Sequence, residues 1–301
     1  MSLKVRLMFK GAHTAIVTPF NNNNVDEESL RELIDFQFNN GISGIVPCGT
    51  TGESPTLTAS EHKRIIEISV EASNDRGLVI AGTGSNCTHE AIEMTQFAEA
   101  VGANAALLVC PYYNKPSQEG LFQHYRAIAN ETTLPIMLYS IPGRSVIEIS
   151  VETQARLHQE CPNICAMKEA GGDVNRVVEI LEVLPSSYEV LSGDDALTLP
   201  FMNSGAVGVV SVASNIIPSQ LASLVSAVLN GKTDEAEKIN AECKTLFEGL
   251  LGLDTNPIPI KEAMALTGKI NNELRLPLVG LSDNTKTNLV NLLSDLGLIQ
   301  I

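Results

Sequence analysis

Short apolar runs alternate with amphipathic stretches along most of this 301-residue chain. Eight of the runs have strand character, at residues 12–17, 44–47, 78–81, 105–109, 136–139, 164–167, 189–191 and 207–211. Most are continuously apolar rather than alternating, as expected of strands buried on both faces. They recur at roughly 20 to 35 residues, the spacing of strand–helix–strand units. Between them the apolar positions return at helical spacing. Leu30, Leu33, Ile34 and Phe38 follow Asp26, a candidate N-cap. Ile65, Ile66, Ile68 and Ser69 follow Thr58-Ala59-Ser60-Glu61, which has the form of a capping box. Ala91, Met94, Phe97 and Ala98 line a further helical face.

Eight alternations predict an α/β protein built as a closed (β/α)8 TIM barrel, with an open doubly wound sheet as the alternative. No GxGxxG follows the first strand, which weighs against the open sheet. After about residue 230 the strand signal stops. Residues 233–253, 259–267 and 284–296 read as helices, so a catalytic barrel over 1–230 and a C-terminal helical domain over 231–301 are expected. Breaks fall at Asn230-Gly231, Asn256-Pro257 and Leu276-Pro277, and residues 21–24 read as a loop.

Composition adds limits. The hydrophobic share of 44% is enough for a substantial core, and no run reaches the roughly 18 apolar residues of a membrane span. The first ten residues carry Lys4, Arg6 and Lys10 without an apolar run, so no export signal is expected and a cytoplasmic location is the default. The net charge of −15 repels phosphate backbones, so neither nucleic acid nor membrane is an expected partner. Cys48, Cys87, Cys110, Cys161, Cys165 and Cys243 form no CxxC pair and are expected as free buried thiols, with no metal site.

In such barrels the chemistry collects at the C-terminal ends of the strands. There the sequence places Gly49-Thr50-Thr51-Gly52-Glu53, Pro111-Tyr112-Tyr113-Asn114, Tyr139 to Arg144, Lys168-Glu169-Ala170 and Gly193-Asp194-Asp195. Lys168 is the most informative. On a strand directed into the barrel its ammonium is desolvated, so its pKa falls and free amine becomes available to attack a ketone. The competing reading is a lysine paired with Glu169 or extended to solvent. Tyr139 ends the preceding strand, where its phenol can move the protons of imine formation. The Gly49–Gly52 turn offers backbone N–H groups and two hydroxyls to a carboxylate. Arg144 offers a bidentate fork to a second one.

These motifs, with Ser192-Gly193-Asp194-Asp195 and Asn256-Pro257-Ile258-Pro259, resemble the dihydrodipicolinate synthase / N-acetylneuraminate lyase family over nearly the whole chain. The resemblance implies a lyase of the class I aldolase type that needs no cofactor, because Lys168 itself forms a covalent imine with pyruvate. It makes Tyr139 the proton shuttle, linked through Thr50 to a Tyr113 that reaches across from a neighbouring subunit. Thr51 would hold pyruvate's carboxylate, Arg144 that of the second substrate, and Gly193 and Val210 complete the substrate contacts. The Thr50-Thr51 pair and Arg144 look like the synthase branch. That branch condenses pyruvate with L-aspartate 4-semialdehyde to 4-hydroxy-tetrahydrodipicolinate, on the route to diaminopimelate and lysine. Ser140 and Gly143 depart from the Asn or Asp and the Ser common there, and a dehydratase or aldolase of sugar-derived 2-oxo acids is the alternative. A barrel that binds an oxo acid without catalysis is the rival from another class. The resemblance also implies a homotetramer built as a dimer of dimers. It further implies a feedback pocket for lysine formed by Ser54, His62, Asn86, Glu90 and Tyr112, with Pro55 and Ala59 as departures.

Overall fold

Continuous apolar runs need cover on both faces, and the structure supplies it by closing the sheet. The structure, a computed structural model, describes residues 8–300. The N-terminal stretch read above for export signals lies, up to residue 7, outside the described residues. Eight parallel strands form a closed barrel: β1 (Gly11–Thr14), β2 (Gly44–Ile45), β3 (Leu78–Gly82), β4 (Ala105–Val109), β5 (Ile136–Ser140), β6 (Ile164–Glu169), β7 (Glu189–Ser192) and β8 (Gly208–Ser211). Each pairs with its neighbours in sequence, and β8 closes on β1. The fold is therefore the expected (β/α)8 barrel, and the open sheet is excluded.

The register settles which side chains point inward. Tyr139 pairs with Lys168, and Lys168 with Leu191. Met137, Tyr139, Ala166 and Leu191 belong to the apolar cluster that fills the barrel, together with Phe9 and Val46. Leu138 and Met167, one residue out of phase, join the larger cluster between strands and helices. At the lower end Glu189 accepts from the N–H groups of Met8 and Phe9, at 2.7 and 2.9 Å, and closes the barrel floor.

The expected caps form. Asp26 accepts from Ser29 N at 3.1 Å at the start of the helix Glu27–Asn39. Thr58 and Glu61 make both arms of a capping box on Ala59–Ser73. Two strands end sooner than expected. β1 stops at Thr14 rather than at 17, although Ala15 N still bonds Ser211 O at 2.8 Å and Ile16 N bonds Val46 O at 3.3 Å. β2 is only Gly44–Ile45, because after Val46 the chain turns into the loop that carries Cys48 to Glu53. Residues 21–24 are the tip of a small hairpin, Phe20–Asn21 against Asn24–Val25.

The last part of the chain is helical: Thr233–Leu253, Ile258–Leu266 and Asp283–Asp295. Cys48, Cys110, Cys161 and Cys243 are buried and Cys165 is half-buried, but Cys87 is exposed, against the expectation that every thiol is buried. It precedes the helix Thr88–Ala100 at the protein surface, outside the apolar period. Among the described residues no helix is long and apolar enough to cross a membrane.

Candidate active site

Lys168 stands near the C-terminal end of β6, 6% exposed, with its Nζ 4.1 Å from the centroid of the Tyr139 ring. Among the described residues no hydrogen-bond acceptor holds that ammonium. Burial lowers its pKa to about 8, opposed by the charge of Asp195 and assisted by that of Arg144. The reading that pairs Lys168 with Glu169 fails on strand alternation. Glu169 faces the opposite side of β6, where its Oε1 accepts from Gly171 N at 2.7 Å and its Oε2 lies 3.8 Å from Arg176.

Tyr139 is equally buried, and burial pushes its phenol up to about 12, with the Thr50 side chain and the Arg144 charge pulling the other way. A phenol held protonated beside a neutral amine can donate to an oxygen leaving a carbinolamine. Tyr139 and Thr50 line a cavity of about 230 Å³, with Arg144, Tyr112, Ser54 and Val109 among its other walls.

The turn over residues 49–53 is internally bonded, Gly52 N to Gly49 O at 3.1 Å and Glu53 N to Thr50 O at 3.1 Å. The N–H groups of Thr50 and Thr51 donate to no partner among the described residues, which leaves them to an anion. Thr51, 2% exposed, does not line the cavity: its hydroxyl accepts from Asn256 Nδ2 at 3.1 Å. Arg144 is exposed at the cavity rim and donates to the Asn256 carbonyl at 2.9 Å.

Gly193 packs against Lys168, and neither these two residues nor Val210 is among the residues that line the cavity. A Cβ on Gly193 would come within 3.0 Å of Lys168 Cε and 2.7 Å of the Ala170 side chain. Val210, on β8, is part of the packed barrel interior. Tyr113 is 90% exposed, in left-handed backbone with φ of 73°, and it does not line the cavity. Within one chain, then, Lys168, Tyr139, Thr50 and Arg144 converge and Tyr113 does not.

The five residues of the expected lysine pocket divide. Ser54, His62, Glu90 and Tyr112 line a second cavity of about 390 Å³, and Ser54 and Tyr112 also border the first. His62 donates through Nε2 to the Gly82 carbonyl at 2.7 Å, and burial lowers its pKa. Glu90 accepts from Ser85 at 2.8 Å. Asn86 lies outside the lining, donating to the Tyr112 carbonyl at 3.1 Å, so it orients Tyr112 rather than facing the cavity.

Three residues that sequence reasoning left without a role join this site. Asn256 bridges Thr51 and Arg144. Asp195 sets its charge against Lys168 while its Oδ2 accepts from Val212 N and Ala213 N at 3.0 and 2.8 Å. Lys261 is wholly buried against Glu53. The signal for Lys261 was present, a single cation inside the apolar helical run from Ile258 to Met264.

Residues 8–296 match the profile of the dihydrodipicolinate synthetase family. The chain is 51% identical, over 97% of its length and all of the relative's, to the 4-hydroxy-tetrahydrodipicolinate synthase of Geotalea uraniireducens. The solved structure of the 4-hydroxy-tetrahydrodipicolinate synthase of Methylacidiphilum fumariolicum superposes with a TM-score of 0.94 at 48% identity, covering 96% of both chains. That of dihydrodipicolinate synthase from Aquifex aeolicus gives 0.95 at 46% identity, covering 96% of this chain and 99% of that one.

Proposed function

The chain belongs to the dihydrodipicolinate synthetase family, and from that premise we propose how its barrel condenses pyruvate with L-aspartate 4-semialdehyde to 4-hydroxy-tetrahydrodipicolinate. The observation that carries the reading is the amine of Lys168, buried, unpartnered and depressed to about 8, set against the Tyr139 ring. The amine adds to the pyruvate ketone. Tyr139 gives a proton to the departing hydroxyl, water leaves, and an imine remains. The imine nitrogen acts as electron sink while a proton leaves the methyl carbon. The enamine then attacks the aldehyde carbon. Closure by the semialdehyde's own amine displaces Lys168 and frees the cyclic product, so one water is released overall. No separate cofactor is required, because the imine supplies the electron sink.

The unbonded N–H groups of Thr50 and Thr51 receive pyruvate's carboxylate. Arg144, at the rim, receives that of the semialdehyde. Tyr113, exposed in one chain, completes the relay of a partner's site in a homotetramer assembled as a dimer of dimers. Gly193 gives the Lys168 stem room, and Val210 packs within the barrel interior. The second cavity, with Glu90 facing an ammonium, binds lysine as feedback inhibitor. The barrel over 1–230 carries the chemistry, a helical domain over 231–301 buttresses it, and the enzyme works in the cytoplasm. The test is turnover of pyruvate and the semialdehyde, coupled to a dihydrodipicolinate reductase and followed by loss of NADPH absorbance. Turnover that disappears in Lys168→Ala supports the reading; a folded wild-type protein without turnover contradicts it.

A further inference from the structure

The turn that carries Thr50 and Thr51 is bounded by strained backbone. Cys48 and Glu53 hold φ of 55° and 53°, left-handed conformations uncommon for residues with a Cβ. Such residues persist only where their surroundings hold them in place. Here much of the hold comes from more than 200 residues along the chain. Lys261, on the helix Ile258–Leu266, donates to Glu53 Oε1 at 2.5 Å and to the Thr18 carbonyl at 2.9 Å. The other oxygen of Glu53 accepts from Arg275 N at 3.1 Å. The Phe20 ring lies beneath both cations, its centroid 4.3 Å from Lys261 Nζ and 4.3 Å from Arg275 Cζ. Thr18 returns to the turn, its hydroxyl donating to the Gly52 carbonyl at 2.7 Å.

Two buried lysines, Lys168 in the barrel and Lys261 on a C-terminal helix, thus have opposite surroundings. Lys168 has a free amine; Lys261 is committed to a carboxylate and a carbonyl, and neither side chain of its pair reaches solvent. A pair buried this deeply adds little net stability but fixes geometry, because either charge is costly without the other.

We propose that Lys261 is a positioning residue for the reaction: its ion pair with Glu53 locks the 49–53 turn, so that the C-terminal helices keep the Thr50 hydroxyl against Tyr139 and the Thr51 N–H against the substrate carboxylate. The inference rests on the reading of Thr50 and Thr51 given above. Loss of the tether lets the turn relax from its left-handed ends, and small displacements of positioned groups cost up to roughly a hundredfold in rate.

The test compares wild type, Lys261→Met and the double variant Glu53→Gln/Lys261→Met. The double variant removes both charges together and so avoids an uncompensated buried carboxylate. Competent sites are counted by trapping the pyruvate imine with borohydride at saturating pyruvate, and turnover is expressed per trapped site. The expected result is a double variant whose melting temperature stays close to wild type, whose sites still trap, and whose kcat per site falls roughly ten- to a hundredfold with a raised KM for pyruvate. A double variant with wild-type kcat and KM per trapped site overturns the proposal, as does a loss that only follows the folded fraction. If wild type itself turns nothing over, the substrate assignment fails separately. The rate of trapping with pyruvate alone then decides the matter: slower in the double variant if the tether positions the turn, unchanged if it does not.

Discussion

Tyr139 and Lys168 are register partners on adjacent strands, and the ammonium of one lies 4.1 Å from the ring centroid of the other. Both side chains are buried, and burial acts on them in opposite senses: it drives the amine toward its neutral form and keeps the phenol protonated. A neutral nucleophile beside a neutral acid is what imine formation from a ketone requires.

Removing the acid leaves the nucleophile. Tyr139→Phe is expected to lower kcat roughly a hundredfold to ten-thousandfold, the range for loss of a positioned proton donor. Slow borohydride trapping with pyruvate should persist. A variant with unimpaired turnover would show that the proton comes from elsewhere.

Gly193 has no room for a side chain, since its Cβ would press on Lys168 Cε and Ala170 Cβ. Gly193→Ala is therefore expected to displace the lysine stem and lower kcat/KM by roughly tenfold or more. Overpacking should also cost about 1–3 kcal/mol of stability. Steady-state kinetics together with a melting curve check both.

The rate of imine formation should depend on pH through Lys168. Its amine is protonated and inert well below about 8 and free above it, so the trapping rate should climb from pH 6 through about 8 and then level. Asp195 raises that pKa, so Asp195→Asn should move the rise to lower pH. A rise near the ordinary lysine value, or none, would contradict the assignment.

Isothermal titration with L-lysine should give saturable heat from the cavity bordered by Ser54, His62, Glu90 and Tyr112. Glu90→Gln should weaken binding roughly tenfold to a hundredfold, the range for a lost hydrogen bond to a charged group. Heat absent at millimolar lysine, in protein that still binds pyruvate, would remove the regulatory reading.

The barrel was legible because its eight strands are buried on both faces and so stand out as apolar runs. Where the pattern misjudged an end, at 15–17 and 46–47, the apolar core continues after regular pairing has stopped. Lys168 and Tyr139 were legible because strand ends are where side chains meet substrate. Lys261 stood out as a lone cation in an apolar helical run, but its role and that of Asn256 were not legible, because their partners Thr51 and Glu53 lie more than 200 residues away and no local period links them. Cys87 escaped for a different reason: composition says nothing of which single thiol falls at a helix start on the surface.

The most direct test of the account is to incubate the protein with pyruvate and borohydride and map the modified lysine by peptide mass spectrometry. The account predicts one adduct, on Lys168, absent from Lys168→Ala, with Lys261 unmodified because its ammonium is held by Glu53. An adduct on Lys261, or efficient turnover of pyruvate with no adduct on Lys168, would contradict it.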